Sequence, residues 1–160
     1  MTLSNRQKQL INETWRRVQE SGLMETGHAV FVKLFTDNPH LIPLFSFADK
    51  ETVEKLRYSR RLAGHGEVVM RTIGVAVDSL NYLQGLEKRL KAIGGRHYGY
   101  KIQPEYFKPL GEAFLYALAV SNGDSFTEEA KEAWEALFDF ITDKMKSGYQ
   151  TSLEQSTSPE

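Results

Sequence analysis

Apolar residues recur along this chain in steps of three and four, the spacing that keeps side chains on one face of a 3.6-residue helix. Leu10, Ile11, Thr14, Trp15 and Val18 mark a first helix over about 4–20, opened by a Ser4/Gln7 capping box and broken at Gly22. Gly27, Phe31, Leu34 and Phe35 mark a second over about 25–37. Pro39 and Pro43 then bracket a turn-like segment ending in Leu44-Phe45-Ser46-Phe47, since proline resists extension of either neighbour. A short helix is expected within 49–56, followed by two longer ones over about 58–81 and 83–97, joined by a tight hairpin. Gly94-Gly95 loosens the end of the latter.

Pro104 suits the first turn of the next helix, which runs through Phe107, Leu110, Phe114 and Leu118 to Asn122-Gly123. Ser125 with Glu128 reads as a capping box for the last, built on Ala130, Trp134, Leu137, Phe138, Ile141 and Met145. Beyond Gly148 the polar composition predicts disorder. No segment alternates with the period of a strand, and no internal repeat is present. The expectation is an all-α fold of seven to eight helices: one domain over 1–148 and a disordered polar tail over 149–160.

Composition narrows the function. Twenty basic and 21 acidic residues give a net charge of −1, so no overall field draws the chain to nucleic acid or anionic membrane. No stretch reaches the roughly 20 apolar residues of a membrane span. The opening Met-Thr-Leu-Ser-Asn-Arg lacks an apolar signal core. Zero cysteines exclude disulfides, iron–sulfur clusters and thiolate sites. A reduced, cytoplasmic protein is expected, monomeric or weakly self-associating.

The candidate chemistry lies in two histidines. His65 shares a stripe with Leu62, Val69, Ile73, Ala76 and Leu80; His97 shares one with Leu83, Leu86, Leu90 and Ile93. Counted back to the hairpin they lie sixteen and fourteen residues away (81 − 65 and 97 − 83). At about 1.5 Å rise per residue, an antiparallel pair would hold them within roughly 3 Å of one height. A lone histidine on an apolar face is usually a hydrogen-bonded core residue. Two level imidazoles across a gap could instead bind a flat metal cofactor between them. His28 and His40 have no such counterpart and read as structural. The run Glu51-Thr-Val-Glu-Lys-Leu-Arg-Tyr-Ser-Arg-Arg reads as a solvated face, and no nucleophile triad or phosphate loop is present. Gly64 and Gly66 flank His65, either admitting a close neighbour or softening the helix so that His65 can move.

With that order of helices, the chain resembles the globin family, and within it the neuroglobin-like, hexacoordinate animal globins. The resemblance covers about 4–147. Trp15, Phe31, Pro39, Phe45, His65, His97, Phe107, Trp134 and Phe138 all fall where the family carries its marker residues. It implies haem b (iron protoporphyrin IX) between the two histidine helices, with His97 as proximal iron ligand and His65 as distal histidine. His65 then either ligates the iron when no gas is present or only donates a hydrogen bond to the gas. The family pocket maps onto Phe31, Phe45, Phe47, Val68, Val69, Leu90, Ile93, Ile102, Phe107, Leu110 and Ile141. The implied activity is reversible binding of O2, CO and NO for storage, transport or sensing. The alternative is an NO dioxygenase or nitrite reductase served by an external reductase. A third reading, a globin fold without haem, is opposed by His97. Two departures stand out. Val68 lies where neuroglobins carry a lysine near the haem propionates, leaving Arg61, Arg96 or Lys101 as substitutes. The cysteine pair of some neuroglobins is absent.

Overall fold

A computed structural model describes residues 2–99 and 102–157 of the chain. Seven α-helices follow one another: α1 (Asn5–Ser21), α2 (Leu23–Asp37), α3 (Val53–Leu56), α4 (Arg60–Asp78), α5 (Gln84–Gly99), α6 (Phe107–Asn122) and α7 (Glu128–Thr157). Short 3₁₀ turns over Pro39–Leu44, Pro104–Tyr106 and Gly123–Ser125 link them. No strand occurs among the described residues, and none of their helices is long and apolar enough to cross a membrane.

Helix starts follow local chemistry. Ser4 and Gln7 form the expected reciprocal capping box on α1. Thr52 caps the four-residue α3, and Ser59 caps α4 through the Leu62 amide. Pro104 opens a 3₁₀ turn rather than α6 itself, which begins at Phe107. The expected Ser125/Glu128 capping box is not formed. Thr127 caps α7 instead, its hydroxyl accepting from the Ala130 amide at 3.2 Å, while Ser125 ends the preceding turn. The hydroxyl residue adjoining the helix has the shorter reach to its first-turn amides.

The core is aromatic where α1, α6 and α7 meet. Trp15 and Trp134 lie 5.8 Å apart, and Phe114 stands edge-on to Trp134 at 5.3 Å. The buried indole Nε1–H donates to Thr14 Oγ1 at 2.6 Å, and Thr14 passes its own proton to the Leu10 carbonyl at 2.7 Å. Asn122, also buried, donates to the Thr14 and Leu118 carbonyls. These buried polar groups are therefore satisfied, as burial requires.

Glycines set the two crossings that position the histidine helices. α2 meets α4 at Gly27 and Gly66: a Cβ on Gly66 would stand 2.5 Å from the Gly27 carbonyl carbon. α5 meets α7 at Gly94 and Gly148, where a Cβ on Gly148 would collide with the Lys91 carbonyl and one on Gly94 with the Met145 carbonyl. Only glycine allows backbones this close. The second crossing also changes the expected C-terminus. α7 does not stop at Gly148 but continues to Thr157, because Gly148 is buried against α5 and the residues after it dock on that helix. Residues 158–160 of the expected tail lie outside the described residues.

Candidate functional site

His65 sits on α4, one residue before the Gly66 crossing, with its ring inside a group of phenylalanines. Phe31 from α2 lies 4.9 Å from the imidazole, and Phe45 and Phe47 from the following corner lie at 5.5 and 6.1 Å. Phe45 also stands edge-on to Phe31 and Phe35, which fixes the corner against α2. Burial in this apolar setting holds the His65 pKa below the ordinary histidine value, and the nearby charge of His97 adds to the shift. The ring is therefore neutral at pH 7, able to offer a lone pair or donate an N–H.

His97 lies in the last turn of α5. Its Nδ1 is 2.8 Å from the Ile93 carbonyl one turn back, which can only accept, so Nδ1 is the donor in that bond. Phe107, the first residue of α6, meets the imidazole edge-on at 5.7 Å. The Ile102 amide donates to the His97 carbonyl at 3.0 Å. His65 lies thirteen residues before the end of α4 (78 − 65) and His97 thirteen after the start of α5 (97 − 84).

The other candidate positions divide by exposure. Phe31, Leu90, Phe107 and Ile141 are buried, while Phe45, Phe47, Val69, Ile93 and Leu110 are partly buried against the core. Ile102 is half-buried. Val68 departs from this set. It is 63% exposed, because the inward stripe of α4 passes through His65 and Val69 and leaves position 68 turned outward. Arg61 and Arg96 are exposed, and Lys101 lies outside the described residues.

His28 proves structural: its Nε2 is 2.9 Å from the Leu56 carbonyl, tying α2 to the end of α3. Of the glycines flanking His65, Gly66 admits α2, whereas a Cβ on Gly64 would meet nothing within 4 Å. Sequence reasoning missed Met70 and Val77, buried on α4, and the reciprocal role of Gly94 and Gly148.

Among the described residues, no group of three or more histidine, aspartate or glutamate side chains gathers to hold a bare metal ion. Two imidazoles among apolar and aromatic side chains suit a metal that arrives within its own macrocycle and needs only axial ligands. The family model for globins matches residues 28–145. The chain belongs to the globin family. It is 31% identical to cytoglobin-2 of Danio rerio over 137 residues, 84% of this chain and 76% of that protein. It is 28% identical to the neuroglobins of Tetraodon nigroviridis and Chaenocephalus aceratus, in each case over 148 residues and 92% of both chains. As a globin it is a haem-binding protein for small gases such as O2.

Proposed function

We propose that this globin binds haem b through His97 and binds O2, CO and NO reversibly on the side of His65, which itself takes the sixth iron position when no gas is present. When bound, ferrous haem supplies the metal orbital that accepts a diatomic gas. The observation that carries the reading is the hydrogen bond from His97 Nδ1 to the Ile93 carbonyl. With Nδ1 donating to the Ile93 carbonyl, the ring is fixed in orientation and its Nε2 lone pair made more basic, as an axial ligand requires.

His65 has two tasks in this reading. The phenylalanines around it keep water away and keep it neutral, so it can offer a lone pair or donate an N–H to the gas. While it occupies the sixth position, the gas sees only the fraction of molecules from which it has withdrawn, and apparent affinity falls by that fraction.

The absorbance spectrum of the ferrous, gas-free protein tests the assignment. Bis-histidine ligation gives sharp, split low-spin bands, which His65→Leu should convert to one broad high-spin band with faster CO binding. A broad band in the unsubstituted protein would remove the six-coordinate reading. Haem retained in His97→Ala with an unchanged spectrum would remove His97 as the proximal ligand.

A further inference from the structure

The end of α5 carries His97 yet has little internal stiffness. Gly94, Gly95 and Gly99 all fall within the helix, and glycine weakens a helix by its backbone freedom. Within α5 the His97 ring is oriented by its hydrogen bond to Ile93 of the same helix, while Phe107 of α6 meets it edge-on. The ring therefore turns with the helix, and the coordinate left to fix is the roll of α5 about its own axis. The glycine crossing with α7 sets the distance between the helices but offers no side chain to resist roll.

Earlier on α5, Leu86 and Leu90 are buried and Glu87 pairs with Lys144 of α7 at 3.8 Å; at the helix end beside His97, Tyr98 adds to that resistance. It follows His97 and projects about 100° further round the helix. Its ring meets Tyr149 of α7 edge-on, with centroids 5.3 Å apart. Its hydroxyl is 2.5 Å from Ser156 Oγ, near the far end of α7. Ser156 gives its own proton to the Leu153 carbonyl at 2.8 Å, so Tyr98 is the donor in the bond between them. One rigid phenol is thus held at both ring and hydroxyl, two turns of α7 apart.

The geometry points to Tyr98, held by Tyr149 and Ser156, as a positioning residue for His97, with residues 149–157 thereby forming part of the proximal side of the haem site. This rests on the ligand role proposed for His97. Releasing Tyr98 lets α5 roll and swings the His97 lone pair away from the metal axis.

The test uses the haem-loaded full chain in a His65→Leu background, so that His97 is the sole protein ligand. Tyr98→Phe and Ser156→Ala remove the hydrogen bond while sparing the ring contact, and Ser156→Thr restores a hydroxyl. The readouts are the iron–histidine stretching band in resonance Raman spectra and amide hydrogen exchange at residues 96–99. Tyr98→Phe and Ser156→Ala should shift and broaden the band and speed that exchange roughly fivefold, the effect of one neutral hydrogen bond. Exchange in α1 should not change, and Ser156→Thr should recover both signals. An unchanged band in both variants overturns the positioning role, even if exchange accelerates, since the contact would then only hold the helix end. A His97→Gly variant separates the two layers of the argument. Haem kept there with an unaltered spectrum removes the ligand assignment itself, whereas haem lost there beside an unaltered Tyr98→Phe band removes only the positioning role.

Discussion

The two glycines beside His65 should respond to alanine with opposite signs. At Gly66 the new methyl would stand 2.5 Å from the Gly27 carbonyl carbon and 2.9 Å from the His28 nitrogen. These are backbone atoms of α2 that no rotamer change can move, so α2 and α4 must part by about 1 Å to restore ordinary contact. Overpacking of this kind costs about 1–3 kcal/mol, and the upper end applies because backbone meets backbone. Alanine returns about 1 kcal/mol through its helix propensity, which leaves a net loss of roughly 2 kcal/mol. At Gly64 the methyl meets nothing within 4 Å. The propensity gain of about 1 kcal/mol then stands alone. For a chain of this size each kcal/mol moves the midpoint by about 2–4 °C. Gly66→Ala should therefore melt roughly 4–8 °C lower, and Gly64→Ala about 2–4 °C higher. Thermal unfolding of the haem-loaded proteins followed by far-UV circular dichroism is the assay, with CO-binding kinetics measured on the same samples. If both variants gain stability, the crossing is not the reason for Gly66, and local softening around His65 becomes the explanation for the pair.

Other substitutions probe the rest of the framework. Thr14→Val leaves the buried Trp134 indole N–H without its acceptor and should cost about 1–3 kcal/mol by chemical denaturation; a loss below that range would mean the indole finds another partner. Lys50 adopts a left-handed backbone with φ of 66°, so Lys50→Val should destabilise by about 1 kcal/mol and Lys50→Asn should not, as judged from denaturation midpoints. The lowered His65 pKa gives a signed pH dependence. The unfolded chain protonates this ring more readily, so folding of the haem-free chain loses stability as pH falls below the ordinary histidine value of 6.5, and the loss is complete below the folded-state value. His65→Leu should flatten that part of the melting-versus-pH curve; an identical slope would mean that other groups carry it.

The helical skeleton was legible because each helix buries one stripe, and Leu62, Ile73, Ala76, Leu86 and Leu90 all lie buried where the period predicts. Val68, placed in the pocket by resemblance, is exposed on α4. The stripe through His65 and Val69 already implied that position 68 faces outward, and the structure follows the stripe. The α7 terminus was misread for a different reason. Glycine and polar residues ordinarily end a helix, but here Gly148 serves a backbone crossing, and the later contacts are made by Tyr149, Ser152 and Ser156 rather than by an apolar stripe. Such contacts depend on which helix lies opposite, which local composition does not encode. The hydrogen bond from His97 to the Ile93 carbonyl was equally beyond pattern reading, since it depends on helix phase and the direction of one carbonyl.

The contact between His28 and the Leu56 carbonyl bears on where the chain can change length. It fixes the end of α3 to α2, and ten residues later Gly66 meets α2 again, beside the same histidine. Between these two anchors the register is closed. One residue inserted at 57–59 would have to turn α4 by about 100°, carrying His65 out from among its phenylalanines and Gly66 off its crossing. Upstream, residues 49–52 lie exposed between Phe47 and α3 and answer to no such pair of anchors. Insertions and deletions should therefore accumulate in that corner, and libraries that vary its length can reshape the approach to His65 without disturbing the histidine itself.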